Sequence, residues 1–153
     1  MSKLLNIAIR AGRRDPMQQL ETAHVSCEFG VNRDFRGKPG KRQITVLNKQ
    51  SWDLVCEIIG KPLDWKTRRA NLLVESLSLE NSTGSVILIG EMVLEITQET
   101  DPCNRMDEAE PGLFNALKDN WRGGVCCRVL MDGDIKIGDA VIMLTREEYE
   151  SRK

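Results

Sequence analysis

The sequence predicts a mainly β fold with some α: a partly closed β-barrel carrying two or three helices. Three observations lead there. Short apolar, often β-branched runs recur along the 153 residues, while helical periodicities are few and isolated. Runs and helices do not alternate as the strand–helix–strand units of a parallel sheet would. Near the end, Asp132-Gly133 stands between apolar runs, the strongest short signal for a tight hairpin.

Leu4 to Ile9 reads as the first strand, ended by the polar turn Ala11-Gly12-Arg13-Arg14-Asp15-Pro16. A weaker strand spans about Leu20 to Cys27. A glycine-rich, basic loop follows from Phe29 to Lys41, and Gln43 to Leu47 has the length and branching of a buried strand. Asn48 stands where a helix N-cap would. Trp52, Val55, Cys56 and Ile59 recur behind it at helical spacing, and Gly60 with Pro62 stops that helix. Asn71 to Glu75 is a further strand, and Val86 to Ile89 with Met92 to Thr97 form a hairpin around Gly90-Glu91. Helical pattern returns after Pro102, with Pro111 opening a second helix through Leu113, Phe114 and Leu117. Val125 to Met131, Ile135 to Ile137 and Ala140 to Leu144 are the last strands, and Asp132-Gly133 is expected to be a hairpin tip joining two of them. The whole of 1–153 reads as one domain, with a core from about 5 to 144 and a charged tail, Thr145 to Lys153, as surface helix or frayed end.

Composition limits the function. Lys and Arg number 22 against 23 Asp and Glu, a formal net charge of −1, so no nucleic-acid partner is expected. No apolar run approaches the roughly 20 residues that span a bilayer, so no membrane partner is expected either. Five cysteines without a Cys-x-x-Cys pair fit a cytoplasmic protein with reduced thiols. One histidine excludes a His-rich metal site.

Cys103 is the thiol with the most suggestive surroundings. It follows Asp101-Pro102 and precedes Asn104, a potential helix cap with Asp107 three residues on, and Arg105 adds positive charge. A thiolate there could ligate a soft metal or attack an electrophile. The plainer reading is a small half-buried side chain in a turn. Cys56 reads as core; Cys126 and Cys127, adjacent on a strand, point to opposite faces; Cys27 is open to either reading. Arg33, Arg36, Lys38, Lys41 and Arg42, interleaved with Gly37 and Gly40, could cradle a phosphate or simply form a solvated loop. Arg68, Arg69 and Asn71 form a second polar cluster before a strand, a surface turn on the plainer reading.

Several of these segments, in order, resemble the MOSC domain, named for the C-terminal domain of molybdenum cofactor sulfurase, in its small stand-alone bacterial form. They are Gly30-Val31-Asn32-Arg33-Asp34, Gly40-Lys41-Arg42-Gln43-Ile44-Thr45-Val46-Leu47, Arg69-Ala70-Asn71-Leu72-Leu73-Val74-Glu75 and Val93-Leu94-Glu95-Ile96-Thr97. After them come Asp101-Pro102-Cys103-Asn104-Arg105-Met106, Pro111-Gly112-Leu113, and Gly124 to Val129 running into Asp132 to Asp139. One segment departs: where the family has Gly-Asp followed by His or Tyr, Arg33-Asp34-Phe35 stands, and only Asp34 matches.

The resemblance implies a β-barrel, with Cys103 at the family's signature cysteine, as a metal ligand or a persulfide carrier. It implies a molybdenum cofactor (molybdopterin) site drawn from Arg33, Asp34, Arg42, Arg69, Asn71 and Arg105. The function expected is molybdenum-cofactor binding or sulfur carriage. A reductase of N-hydroxylated compounds and a non-catalytic thiol-dependent binding module are the alternatives, so whether the chain is an enzyme stays open. No pyridoxal-phosphate site or ferredoxin-like cysteine cluster is evident, so sulfur or electrons would come from a partner, a pyridoxal-phosphate-dependent cysteine desulfurase or an electron-donor protein.

Overall fold

Leu4–Ile9 (β1) alternates its side chains between two apolar environments, and that alternation organises the molecule. The computed structural model describes residues 2–152. Beyond β1, the described strands are Gln18–Leu20 (β2), Thr22–Ser26 (β3), Gly30–Val31 (β4), Ile44–Asn48 (β5), Leu72–Val74 (β6), Val86–Ile89 (β7), Met92–Glu99 (β8), Val125–Met131 (β9), Gly133–Lys136 (β10) and Val141–Leu144 (β11). The helices are Lys49–Ile59 (α1), Arg105–Ala109 (α2), Leu113–Leu117 (α3) and Arg146–Ser151 (α4), with a 3-10 turn at Trp65–Arg68.

Eight strands form one sheet in the order β11-β7-β8-β9-β5-β6-β1-β2, and β10-β3-β4 form a second. Among the described strands only β5 and β6 run parallel. A parallel neighbour needs a crossover, and α1 with the 3-10 turn supplies it. Gly60 ends α1 at φ 83°, the left-handed region open to glycine, with its N–H bonded to the Cys56 carbonyl. The large sheet curls until Lys3, beside β1, bridges Ala140, which leads into β11 at the far edge. The Leu4 N–H donates to the Asp139 carbonyl and the Gly138 N–H to that of Leu4, at 2.9 and 2.8 Å. One bridge is not a ladder, so the barrel is partly closed, as expected.

Ile7, Val46 and Leu72 face the barrel interior with Ile44, Ile87, Leu94 and Ile96. Their chain neighbours Ala8, Leu47 and Leu73 face outward, under Trp52 and Val55 of α1, Met106 of α2 and Leu113 and Leu117 of α3. The period-two alternation of three adjacent strands thus builds two cores, one inside the barrel and one beneath the helices.

Several expectations need correction. Asp132-Gly133 is not a hairpin tip: β10 pairs with β3, while β9 lies between β8 and β5. The chain changes sheets there, and the Asp132 carboxylate accepts the Cys27 N–H at 2.7 Å instead of closing a turn. The strand read over Leu20 to Cys27 is two strands, because β2 pairs with β1 while β3 belongs to the smaller sheet. Asn48 precedes α1 but does not cap it; its side chain accepts from the Leu77 N–H. Asn104 likewise makes no side-chain cap to α2. The charged tail forms α4, opened by a capping box between Thr145 and Glu148; Lys153 lies outside the described residues. Among the described residues no helix is long and apolar enough to cross a membrane.

Candidate functional site

Strand ends converge on one side of the barrel. Arg10 follows β1, Asn71 precedes β6, Thr45 lies in β5 and Thr100 follows β8, and between them opens a cavity of about 790 Å³. Cys103, Arg105 and Met106 line it, as do Asp34, Arg36 and Arg42. Eight arginines line it (residues 10, 13, 14, 36, 42, 68, 69 and 105) against three carboxylates, Asp34, Asp101 and Glu108.

Three devices hold this wall in place. The buried Asn71 amide accepts from the Thr45 N–H at 3.0 Å and donates to the Ala8 carbonyl at 3.2 Å, joining β5, β6 and β1 at the cavity floor. The buried Arg68 guanidinium donates to the carbonyls of Gly123 and Thr100 at 3.0 and 2.9 Å, so it braces the segment that leads to Cys103. Gln43 donates to the carbonyls of Cys27 and Gly37 and accepts from the Val129 N–H, which pins the loop before β5 to β9. That loop requires glycine at 37: a Cβ there would run into the Phe29 carbonyl oxygen.

The electrostatics are one-sided. Arg10 is buried, and its guanidinium is depressed first by burial, then by Arg69 and Arg36, with Asp34 opposing. Arg69 is depressed by burial and by Arg105; it sits at φ 66° and its guanidinium donates to the Asp15 carbonyl. Burial lowers Arg68 as well, against the thiols of Cys126 and Cys103 and the carboxylates of Asp101 and Glu99. Cations that lower one another's pKa favour an anion between them. Cys103 is an exposed thiol on the cavity wall, whereas Cys126 and Cys127 are buried. Cys103 does not sit at a capped helix end, since α2 is one short turn without a side-chain cap, and its thiol interacts electrostatically with the Arg68 guanidinium.

Of the residues singled out in the sequence, Cys103, Asp34, Arg42, Arg69, Asn71 and Arg105 line this cavity. Arg33 does not. It lies at φ 70° in a separate groove with His24 and Asp134. Asn71 lines the cavity with its amide already engaged by β-strand backbone. Arg13 and Arg14, read in the sequence as part of a polar turn, and Arg10, not singled out there, are part of the wall. Among the described residues no three His, Cys, Asp or Glu side chains gather as a chelating set.

A family model for the MOSC domain matches residues 26–142. The chain belongs to the MOSC domain family. Solved structures with the same fold include the YUAD protein from Bacillus subtilis, 20% identical over 92% of this chain and 94% of that one, with a TM-score of 0.78. YiiM from Geobacillus stearothermophilus is 16% identical over 95% of this chain and 76% of its own, also at 0.78. YiiM from Escherichia coli is 12% identical over 94% and 70%, at 0.72. At these identities the likeness is one of fold. No curated protein matches the chain. The MOSC family is known for binding the molybdenum cofactor, and in this member the matched span carries Cys103 and most of the cationic wall.

Proposed function

We propose that this MOSC domain binds a molybdenum cofactor in the arginine-lined cavity and uses Cys103 either to ligate the metal or to carry sulfur to it. The observation that carries the reading is the convergence of one exposed thiol with eight arginines on a single cavity. The donor set suits the group. Molybdopterin brings its own dithiolene sulfurs, so the chain needs no chelating cluster, only one further soft ligand. Its phosphate suits guanidinium forks, and Arg42, Arg69 and Arg10 would hold that end. Asp34 bonds the Arg10 N–H at 3.1 Å through one oxygen, which leaves the other to accept from a pterin N–H. The cavity's volume also falls within the roughly 300–1,000 Å³ usual for ligand pockets.

When bound, the cofactor would supply a redox-active metal centre. As a carrier, the Cys103 thiolate would attack the outer sulfur of a desulfurase persulfide; a new S–S bond forms on Cys103 and the donor cysteine leaves as thiolate. That role requires an accessible thiol, and Cys103 is exposed.

The test is metal and pterin analysis of the purified protein, with cyanide release of labile sulfur measured in parallel. Molybdenum with pterin, or labile sulfur lost in Cys103→Ser, is the expected result. Arg69→Ala should lower pterin content about tenfold, the loss of one charge-assisted contact. A wild-type protein from molybdate-fed cells with neither pterin nor labile sulfur would end this reading.

A further inference from the structure

A second concavity of about 690 Å³ adjoins the first and shares Arg13, Arg36 and Arg42 with it. Its other walls are Lys38, Lys41, Phe35 and Gln98, with Pro39 and Gly40 between them. Five cations face this groove and no carboxylate does. Among the described residues none of those five side chains makes an ion pair or a hydrogen bond, so their charge is left for something else.

The rim is built rather than loose. A β-bulge in β8 sets Ile96 opposite Cys127 and Gln98 opposite Cys126, leaving Thr97 as the extra residue. The Thr97 hydroxyl is bonded to the Lys41 and Cys126 carbonyls, which ties the basic loop to the barrel, while Gln98 lines the groove beside it. Phe35 is 42% exposed, a ring held open on an otherwise cationic surface. The Phe35 N–H is bonded to the Arg10 carbonyl at 2.8 Å, so its backbone is fixed to the cavity wall.

We propose that this groove is a second anion subsite that takes the phosphate chain of a nucleotide, with the base stacked on Phe35 and its polar edge within reach of the Gln98 amide. Unpaired cations select a multiply charged phosphate chain over a single carboxylate. An exposed aromatic ring beside them selects a planar base, as stacking platforms do. The three shared arginines place the groove next to the cavity, so two sources fit one chemistry: the nucleotide half of a dinucleotide form of the cofactor, or a free nucleotide bound beside it. The proposal rests on the cavity being the cofactor site only for the first source.

The experiment is titration of the purified protein with guanosine diphosphate, inorganic pyrophosphate, inorganic phosphate and guanosine, together with nucleotide analysis of acid-released cofactor. The diphosphate should bind about tenfold or more tightly than inorganic phosphate or guanosine. The K38A/K41A double variant should lose that advantage, with pterin and molybdenum content kept if the nucleotide is free and lowered if it belongs to the cofactor. Phe35→Ala should bring guanosine diphosphate down to the affinity of pyrophosphate. Nucleotide released with the pterin identifies the dinucleotide cofactor; pterin without nucleotide, alongside tight diphosphate binding, identifies a free nucleotide. Diphosphate binding no tighter than inorganic phosphate, or unchanged in K38A/K41A, overturns the subsite. A molybdenum-bearing protein that ignores nucleotides would overturn the subsite alone, and a nucleotide-binding protein without pterin would overturn the cofactor reading alone.

Discussion

Asn71 and Thr45 hold each other reciprocally: the Thr45 N–H donates to the Asn71 side-chain oxygen and the Asn71 N–H to the Thr45 hydroxyl, both at 3.0 Å. The pair sits where β5 and β6 enter their parallel ladder, so it fixes strand register and cavity floor together. Asn71→Ala leaves buried backbone groups without partners and should cost about 2–3 kcal/mol. Urea denaturation checks it, and an unchanged midpoint would remove Asn71 from the framework.

Arg68 and Arg69 are adjacent but should behave oppositely. Arg68 is spent on the backbone of Gly123 and Thr100, so Arg68→Ala should destabilise the protein by about 2–3 kcal/mol and open the segment around residues 100–106 to protease. Arg69 is partly exposed on the cavity wall, and Arg69→Ala should leave the melting temperature nearly unchanged while weakening anion binding. Equal thermal shifts in the two variants would contradict this division.

Brief iodoacetamide treatment at neutral pH should label Cys103 first. Cys126 and Cys127 are buried, and burial holds the Cys127 thiol well above its ordinary value. Cys27 is exposed, but desolvation and the Asp132 carboxylate push its thiol up, which lowers its thiolate fraction. Peptide mass spectrometry reads the order, and Cys27 labelling ahead of Cys103 would undo it.

Asp132 gives a pH test of the junction between the two sheets. The Cys27 N–H and thiol hold its carboxyl below the usual carboxylate value. A depressed folded-state pKa contributes stability above the unfolded-state value and loses it as pH falls through the folded one. Wild type should therefore exceed Asp132→Asn by a constant margin above about pH 5, and the margin should vanish under acid. Denaturation midpoints at stepped pH check it; a margin that grows as pH falls would reverse the assignment.

Local pattern reaches far into this fold. β1 spans Leu4–Ile9 as its apolar run indicates, and the β7–β8 hairpin turns at Gly90-Glu91 as expected. Asp132-Gly133 misleads because the turn propensity is local while strand pairing is not: β10 finds β3, more than a hundred residues earlier in the chain. The candidate site was legible where it follows a family segment, as at Cys103 and Arg69. Arg10 was not, because nothing local distinguishes an arginine after a strand from one on the surface; the charges that act on it, Asp34, Arg36, Arg69 and Arg105, come from distant parts of the chain.

The two-sided strands β1, β5 and β6 have a consequence for how this protein can change over generations. Adding or deleting one residue within any of them would turn Ile7 for Ala8, Val46 for Leu47 or Leu72 for Leu73, inverting both cores at once. Insertions and deletions are thereby confined to the connections, such as the stretch between α3 and β9. Arg10, Thr45 and Asn71 are attached to those three strands, so the floor of the cavity inherits their fixed reading frame. The loop from Phe35 to Arg42 is held through its backbone at Phe35, Gly37 and Lys41, so the basic side chains of its rim are the part free to diverge toward new ligands while the floor stays still.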